Sequence, residues 1–145
     1  MTKWDERFIA LAEMVASWSK DTSTKVGAVV TNYKQLVSVG YNGAPPGLDD
    51  EFALRDRETK LSCTIHAEHN AIEFAGKEYL DGHTLYLTHP PCDRCSALII
   101  KKRVHKVIFK DVPSEWRERW NVDFSEEMLQ RGGVIVQKIP LKSDE

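Results

Sequence analysis

A pair of half-motifs restricts the folds open to this chain more than any other feature. His66-Ala67-Glu68 opens the run "HAEHNAIEFAG" (66–76), and Pro91-Cys92-Asp93-Arg94-Cys95 opens "CDRCSALIIKK" (92–102). Both runs have helix-forming composition. The first is closed by a glycine, and the second follows a proline of the kind tolerated at or before a first turn. Residues three apart share one face of a helix, so Cys92 and Cys95 can reach one point. His66 and Glu68 are two apart and would diverge in mid-helix. At a first turn both lean back toward the helix start and can reach an object beyond it. The fold must therefore aim two helix N-termini at one place.

One imidazole and two thiols make the N/S donor set that zinc prefers. The positive end of a helix dipole favours thiolates at Cys92 and Cys95. A lone C-x-x-C would equally suit a redox pair; the upstream His66 is what discriminates. Three protein ligands leave a fourth position for water, which marks a catalytic rather than a closed structural site. Two thiolates already neutralise the ion, so Glu68 is not needed as a ligand and suits proton transfer. A zinc-stabilised binding module without turnover would have no use for Glu68. Cys63 as a fourth ligand would close the site; a small buried side chain is the plainer reading. The order H-x-E…P-C-x-x-C is the signature of zinc nucleobase deaminases.

The 145 residues suit one domain over 1–145. Phe8, Leu11, Ala12, Val15 and Trp18 recur at helical spacing, predicting a helix over 4–21 with these residues in the core. Residues 26–43 read as a β-hairpin around "NYKQ", 40–52 as a loop, and 53–62 as either helix or loop. Strands are expected over 83–89, 104–110 and 134–140, with a helix over 124–133. A hairpin followed by alternating strands and helices predicts a mixed α/β sheet with parallel later neighbours. The final "LKSDE" is expected to fray. A formal net charge of -2 gives no electrostatic case for nucleic acid or an anionic membrane as partner. No run approaches the ~18–20 apolar residues of a membrane span. The chain starts without a secretion-signal pattern, so a cytoplasmic protein is expected, whose three cysteines point to metal or redox chemistry rather than structural bridges.

Over residues 4–139 the chain resembles deoxycytidylate (dCMP) deaminases of the cytidine deaminase superfamily. The resemblance rests on "SKDTSTKVGAVV" (19–30), "GYNGAPPG" (40–47), "HAEHNAI" (66–72) and "PPCDRCSALIIKKRVHKVIF" (90–109). It implies a three-layer α/β/α sandwich around a mixed five-stranded sheet, and a homohexamer. It implies one zinc ion held by His66, Cys92 and Cys95, with Glu68 as acid–base, converting dCMP to dUMP and ammonia. Asn42 is carried over as a contact to the sugar hydroxyl, and the Ala67 backbone N–H as a donor to the base carbonyl. Ser23, Thr24 and Lys25 correspond to a phosphate-binding segment, and Trp116 to an aromatic that packs on the nucleotide. Another cytosine or adenine substrate, such as dCTP, deoxycytidine or a tRNA adenosine, remains the alternative. Cys63 is the only cysteine before position 92, so no second zinc site is expected. His69 replaces the family's usual leucine and reads as a partly exposed helix residue. His83, His89 and His105 read as surface or strand-end histidines.

Overall fold

The computed structural model describes residues 1–141, so the expected fraying falls mostly outside it. Helix α1 (Lys3–Ala16) begins at Thr2, whose hydroxyl accepts from the Asp5 N–H while the Asp5 carboxylate accepts from the Thr2 N–H. This reciprocal pair satisfies two backbone donors that a helix start leaves free. Strands β1 (Gly27–Asn32) and β2 (Gln35–Tyr41) form the expected hairpin. After the short helices α2 (Asp50–Ala53) and α3 (Arg57–Cys63), the order is α4 (Ala67–Phe74), β3 (His83–Leu87), α5 (Asp93–Lys101) and β4 (Lys106–Lys110). Helices α6 (Ser114–Arg119) and α7 (Val122–Arg131) and strand β5 (Ile135–Ile139) complete it.

The five strands lie in the order β2-β1-β3-β4-β5. β1 is antiparallel to both neighbours, while β3, β4 and β5 are mutually parallel. Side chains alternate across the sheet as the pleat requires. Ala28, Val30, Leu85, Leu87, Val107 and Phe109 pack with Ala71 and Ile72 of α4, Ile99 of α5 and Leu129 of α7. Val29, Tyr86 and Ile108 face the other way, against Phe8, Ile9 and Ala12 of α1. The result is the expected three-layer α/β/α arrangement. Fully buried side chains such as Leu85, Ile99 and Phe109 each contribute about 1.5–3 kcal/mol over their exposed state.

Two sequence expectations fail locally. α1 ends at Ala16, not at position 21, and Trp18 is 51% exposed instead of in the core. Beyond Ala16, bonds outside the helix capture the chain. Ser19 Oγ donates to the Asn42 carbonyl at 2.7 Å, and the Asp21 carboxylate accepts from the backbone N–H groups of Ser23 and Thr24. The Trp18 ring lies edge-on to Tyr41 at 6.3 Å. The ambiguous stretch 53–62 is largely helical, because Asp56 caps α3 through the Thr59 N–H. α6 was not expected; it buries no residue and so carries no apolar stripe to betray it.

Two glycines set the spacing of the layers. A Cβ on Gly27 would lie 1.9 Å from the Ala12 carbonyl oxygen of α1. A Cβ on Gly40 would lie 2.4 Å from the Ala71 nitrogen and 2.7 Å from the Ala67 carbonyl oxygen of α4. Both partners are helix backbone and cannot rotate away. Gly43, three residues along, has open space where its Cβ would be. Gly40→Ala should therefore lower stability by about 1–3 kcal/mol, the cost of overpacking, whereas Gly43→Ala should leave it nearly unchanged. Urea unfolding of the two variants measures the difference.

Candidate active site

The end of β2 frames the site. Gly43 and Ile65 exchange backbone hydrogen bonds at 3.1 and 2.8 Å, which fixes the chain immediately before His66. Asn70 Nδ2 donates to the Tyr41 carbonyl at 2.9 Å and holds α4 to the same strand. His66 is the N-cap of α4 and Cys92 the N-cap of α5, both with extended backbone and neither with a capping side-chain bond. An N-cap is normally Ser, Thr, Asp or Asn, whose oxygen bonds back to the helix. Here both side chains are left free to turn toward each other. Cys95 follows in the first turn of α5. His66 Nδ1 lies 3.5 Å from Cys92 Sγ and 3.3 Å from Cys95 Sγ, and the three donor atoms all fall within 4.8 Å. Cys63 is not part of this cluster.

The charges of the cluster are interdependent. Hydrogen bonding from Cys95 and His66 holds the Cys92 thiol far below its ordinary range, against the effect of burial. Contact with Cys92, together with burial, pushes Cys95 up. The bond to Cys92 raises His66 despite partial burial, with the Glu68 charge adding to it. Glu68, at the second position of α4, is 4% exposed, and burial raises its pKa. A thiolate, a second sulfur and an imidazole nitrogen at this spacing match zinc's preference for soft and borderline donors. The residues fit the ion.

A pocket opens beside the cluster. Ala67, Glu68 and Cys92 line it, as do Thr24, Asn42 and Trp116 from the sequence reading. Asn42 is 7% exposed and largely engaged. Its Oδ1 accepts from the Val26 N–H at 2.8 Å, and its Nδ2 donates to the Thr24 carbonyl at 2.9 Å. One N–H of the amide is left over. Ser23 and Lys25 are exposed and lie outside the pocket lining. His69 is exposed and lies 3.5 Å from Glu73 along α4.

Several pocket residues were not singled out from sequence. Asp21 forms part of the wall and pairs with buried Lys60 at 3.1 Å; Lys60 Nζ also donates to Ser23 Oγ at 3.0 Å. Burial raises the Asp21 pKa, but bonds from Thr24, Ser23 and Lys60 outweigh it and hold the carboxyl below its usual range. Helical spacing alone does not connect residues 21 and 60. His89 and Trp120 also line the pocket, stacked in series on Trp116 at 5.3 and 5.6 Å. The Trp116–Trp120 spacing of four residues was the available signal. Arg117 anchors this wall, pairing with Asp111, with Asp123 at 2.6 Å and with Glu126 at 2.7 Å. Metal analysis of protein purified without chelator should find zinc close to stoichiometric. Cys95→Ser should weaken zinc binding by more than the roughly 10–100-fold typical of changes outside the ligands themselves, as read by competition with a chromophoric chelator.

Residues 2–111 match the family described as the cytidine and deoxycytidylate deaminase zinc-binding region. An uncharacterized deaminase of Aliivibrio fischeri is 43% identical over 143 residues, covering 97% of each chain. A probable deoxycytidylate deaminase of Caenorhabditis elegans is 39% identical over 147 residues, covering 98% of this chain and 73% of the relative. Among solved structures, the dCMP deaminase of cyanophage S-TIM5 in complex with dCMP and dUMP superposes with a TM-score of 0.79. It is 28% identical, with 96% of this chain and 98% of that one covered. No helix among the described residues is long and apolar enough to cross a membrane. With the His66, Cys92 and Cys95 donor set in place, the chain belongs to the cytidine and deoxycytidylate deaminase family of zinc-binding enzymes.

Proposed function

We propose that the chain hydrolyses dCMP to dUMP and ammonia, supplying dUMP for thymidylate synthesis. The observation that carries this reading is the buried Glu68 carboxylate beside a three-donor cluster at the wall of an open pocket. The dCMP- and dUMP-bound cyanophage relative supports the choice of substrate. Zinc, when bound by His66, Cys92 and Cys95, supplies the Lewis acidity that makes water a nucleophile near neutral pH.

The chain's own residues do the rest. Glu68 accepts a proton as water adds to C4 of the cytosine ring. It passes that proton to ring N3, then takes the remaining hydroxyl proton and delivers it to the exocyclic amine as the C4–N bond breaks, so that ammonia leaves and C4 keeps a carbonyl. Its raised pKa suits a group that must give the proton back. The Ala67 N–H stands in the first turn of α4, where a backbone donor has no partner within the helix, and it holds the base carbonyl. The remaining Asn42 N–H serves the sugar, and Thr24 stands with Ser23 and Lys25 on the phosphate side. Trp116 packs on the nucleotide, and Ser23 and Lys25 add polarity and charge at the rim.

The same reading takes residues 1–145 as one catalytic domain working in the cytoplasm as a homohexamer. Three free cysteines support a reducing compartment. Association of copies is supported by apolar side chains left in solvent around the edge strand β2, with Phe74 76% and Leu36 52% exposed. Glu68→Gln should retain zinc and lose about 10²–10⁴-fold in kcat on dCMP, measured by ammonia release alongside metal content. Full activity in that variant would overturn the assignment of the proton carrier.

A further inference from the structure

His89 is a pocket-lining group that the reaction just described leaves without a role. A nucleotide carries a phosphate, yet no Lys or Arg is among the residues lining the pocket. Lys25 at the rim is exposed and outside this lining, and the other cations nearby are engaged, Lys110 with Glu13 at 2.7 Å. Lys60 is buried against Asp21 and Ser23, and Arg117 is held by three carboxylates. Two of the lining side chains, Asp21 and Glu68, are carboxylic acids, so a phosphate entering this pocket needs a donor to offset them. Apart from the metal-ligating His66, His89 is the only imidazole of the lining, and a neutral ring still offers one N–H to such a phosphate.

The surroundings of His89 fix how it can donate. The Gly27 N–H donates to Thr88 Oγ1 at 3.0 Å, and that oxygen lies 2.8 Å from His89 Nδ1. With a lone pair of the hydroxyl filled by Gly27, its proton is free to point at Nδ1. The ring's own proton then sits on Nε2. Nε2 has no partner among the described residues. Burial and the nearby Lys110 hold the imidazole below its usual pKa, in keeping with a neutral ring protonated at one nitrogen. The tilted stack on Trp116, with ring centroids 5.3 Å apart and planes at 33°, restrains the ring's orientation.

We propose that His89 reads the phosphate monoester of the substrate, its Nε2–H donating to a phosphate oxygen, and so selects nucleotide over nucleoside. This rests on the nucleotide reading given above. The test compares dCMP with deoxycytidine in the zinc-loaded enzyme. His89→Phe keeps an aromatic ring against Trp116 but removes the donor, while His89→Gln keeps an N–H. His89→Phe should lower kcat/KM on dCMP by about 10- to 100-fold, the size of a lost hydrogen bond to a charged group, and lower it far less on deoxycytidine. His89→Gln should recover part of the loss. Calorimetric binding of dUMP and deoxyuridine, which involves no turnover, should show the same pattern. An equal fall on both ligands, or an unchanged preference for the phosphorylated one, would overturn the role of His89. A wild-type enzyme that deaminates deoxycytidine but not dCMP would instead overturn the substrate reading, and that is seen before any variant is made.

Discussion

Backbone meets backbone where β2 passes under α4, and the site is built on that approach. Gly40 presents no side chain, so the first turns of α4 lie directly against the strand. Those turns carry Ala67 and Glu68. A side chain in the gap would lift α4 and carry Glu68 away from the sulfurs of α5. The next residues of the same stretch continue the work. Asn42 bonds the backbone on either side of Lys25, and Gly43 pairs with Ile65 just before the metal-binding histidine. "GYNG" is thus first a fastening, and only then a wall of the pocket.

The electrostatics of the pocket follow a division of labour. One end gathers sulfur, imidazole and carboxylate groups around a cation site. The Asp21 wall is held by a buried ion pair whose partners also receive or give bonds to backbone and hydroxyl groups. An unpaired charge at such depth would be strongly destabilising, and the extra bonds are what make the pair tolerable. This leaves the interior charged at fixed points, with polar groups such as Asn42 and Thr24 set among the apolar walls of Leu61, Trp116 and Trp120.

The metal centre was legible because its logic is local. Spacings of two and three residues at a helix start determine which side chains of each half can reach one point, and the order of the two half-motifs joins them. The sheet order was legible in outline because a hairpin and then alternating elements leave few arrangements. What escaped was long-range or unpatterned. Nothing in the vicinity of Lys60 announces Asp21, and the side-chain amide of Asn42 reads as a ligand contact until its backbone partners are seen. The end of α1 is not legible because Trp18 continues the helical period while Ser19 and Asp21 bond outside the helix. His89 looked like the end of a strand, since its stacking partner lies on a helix with no apolar stripe.

The aromatic wall hangs from the molecule by Arg117 and not by a hydrophobic face, for α6 contributes nothing to the core. Residues on such a segment are free to change without disturbing the packing that supports hydrolysis. Substrate choice can then drift by exchanging a few side chains over an otherwise untouched reaction centre. A scaffold arranged in this way is suited to diversification, keeping one chemistry while its clientele turns over.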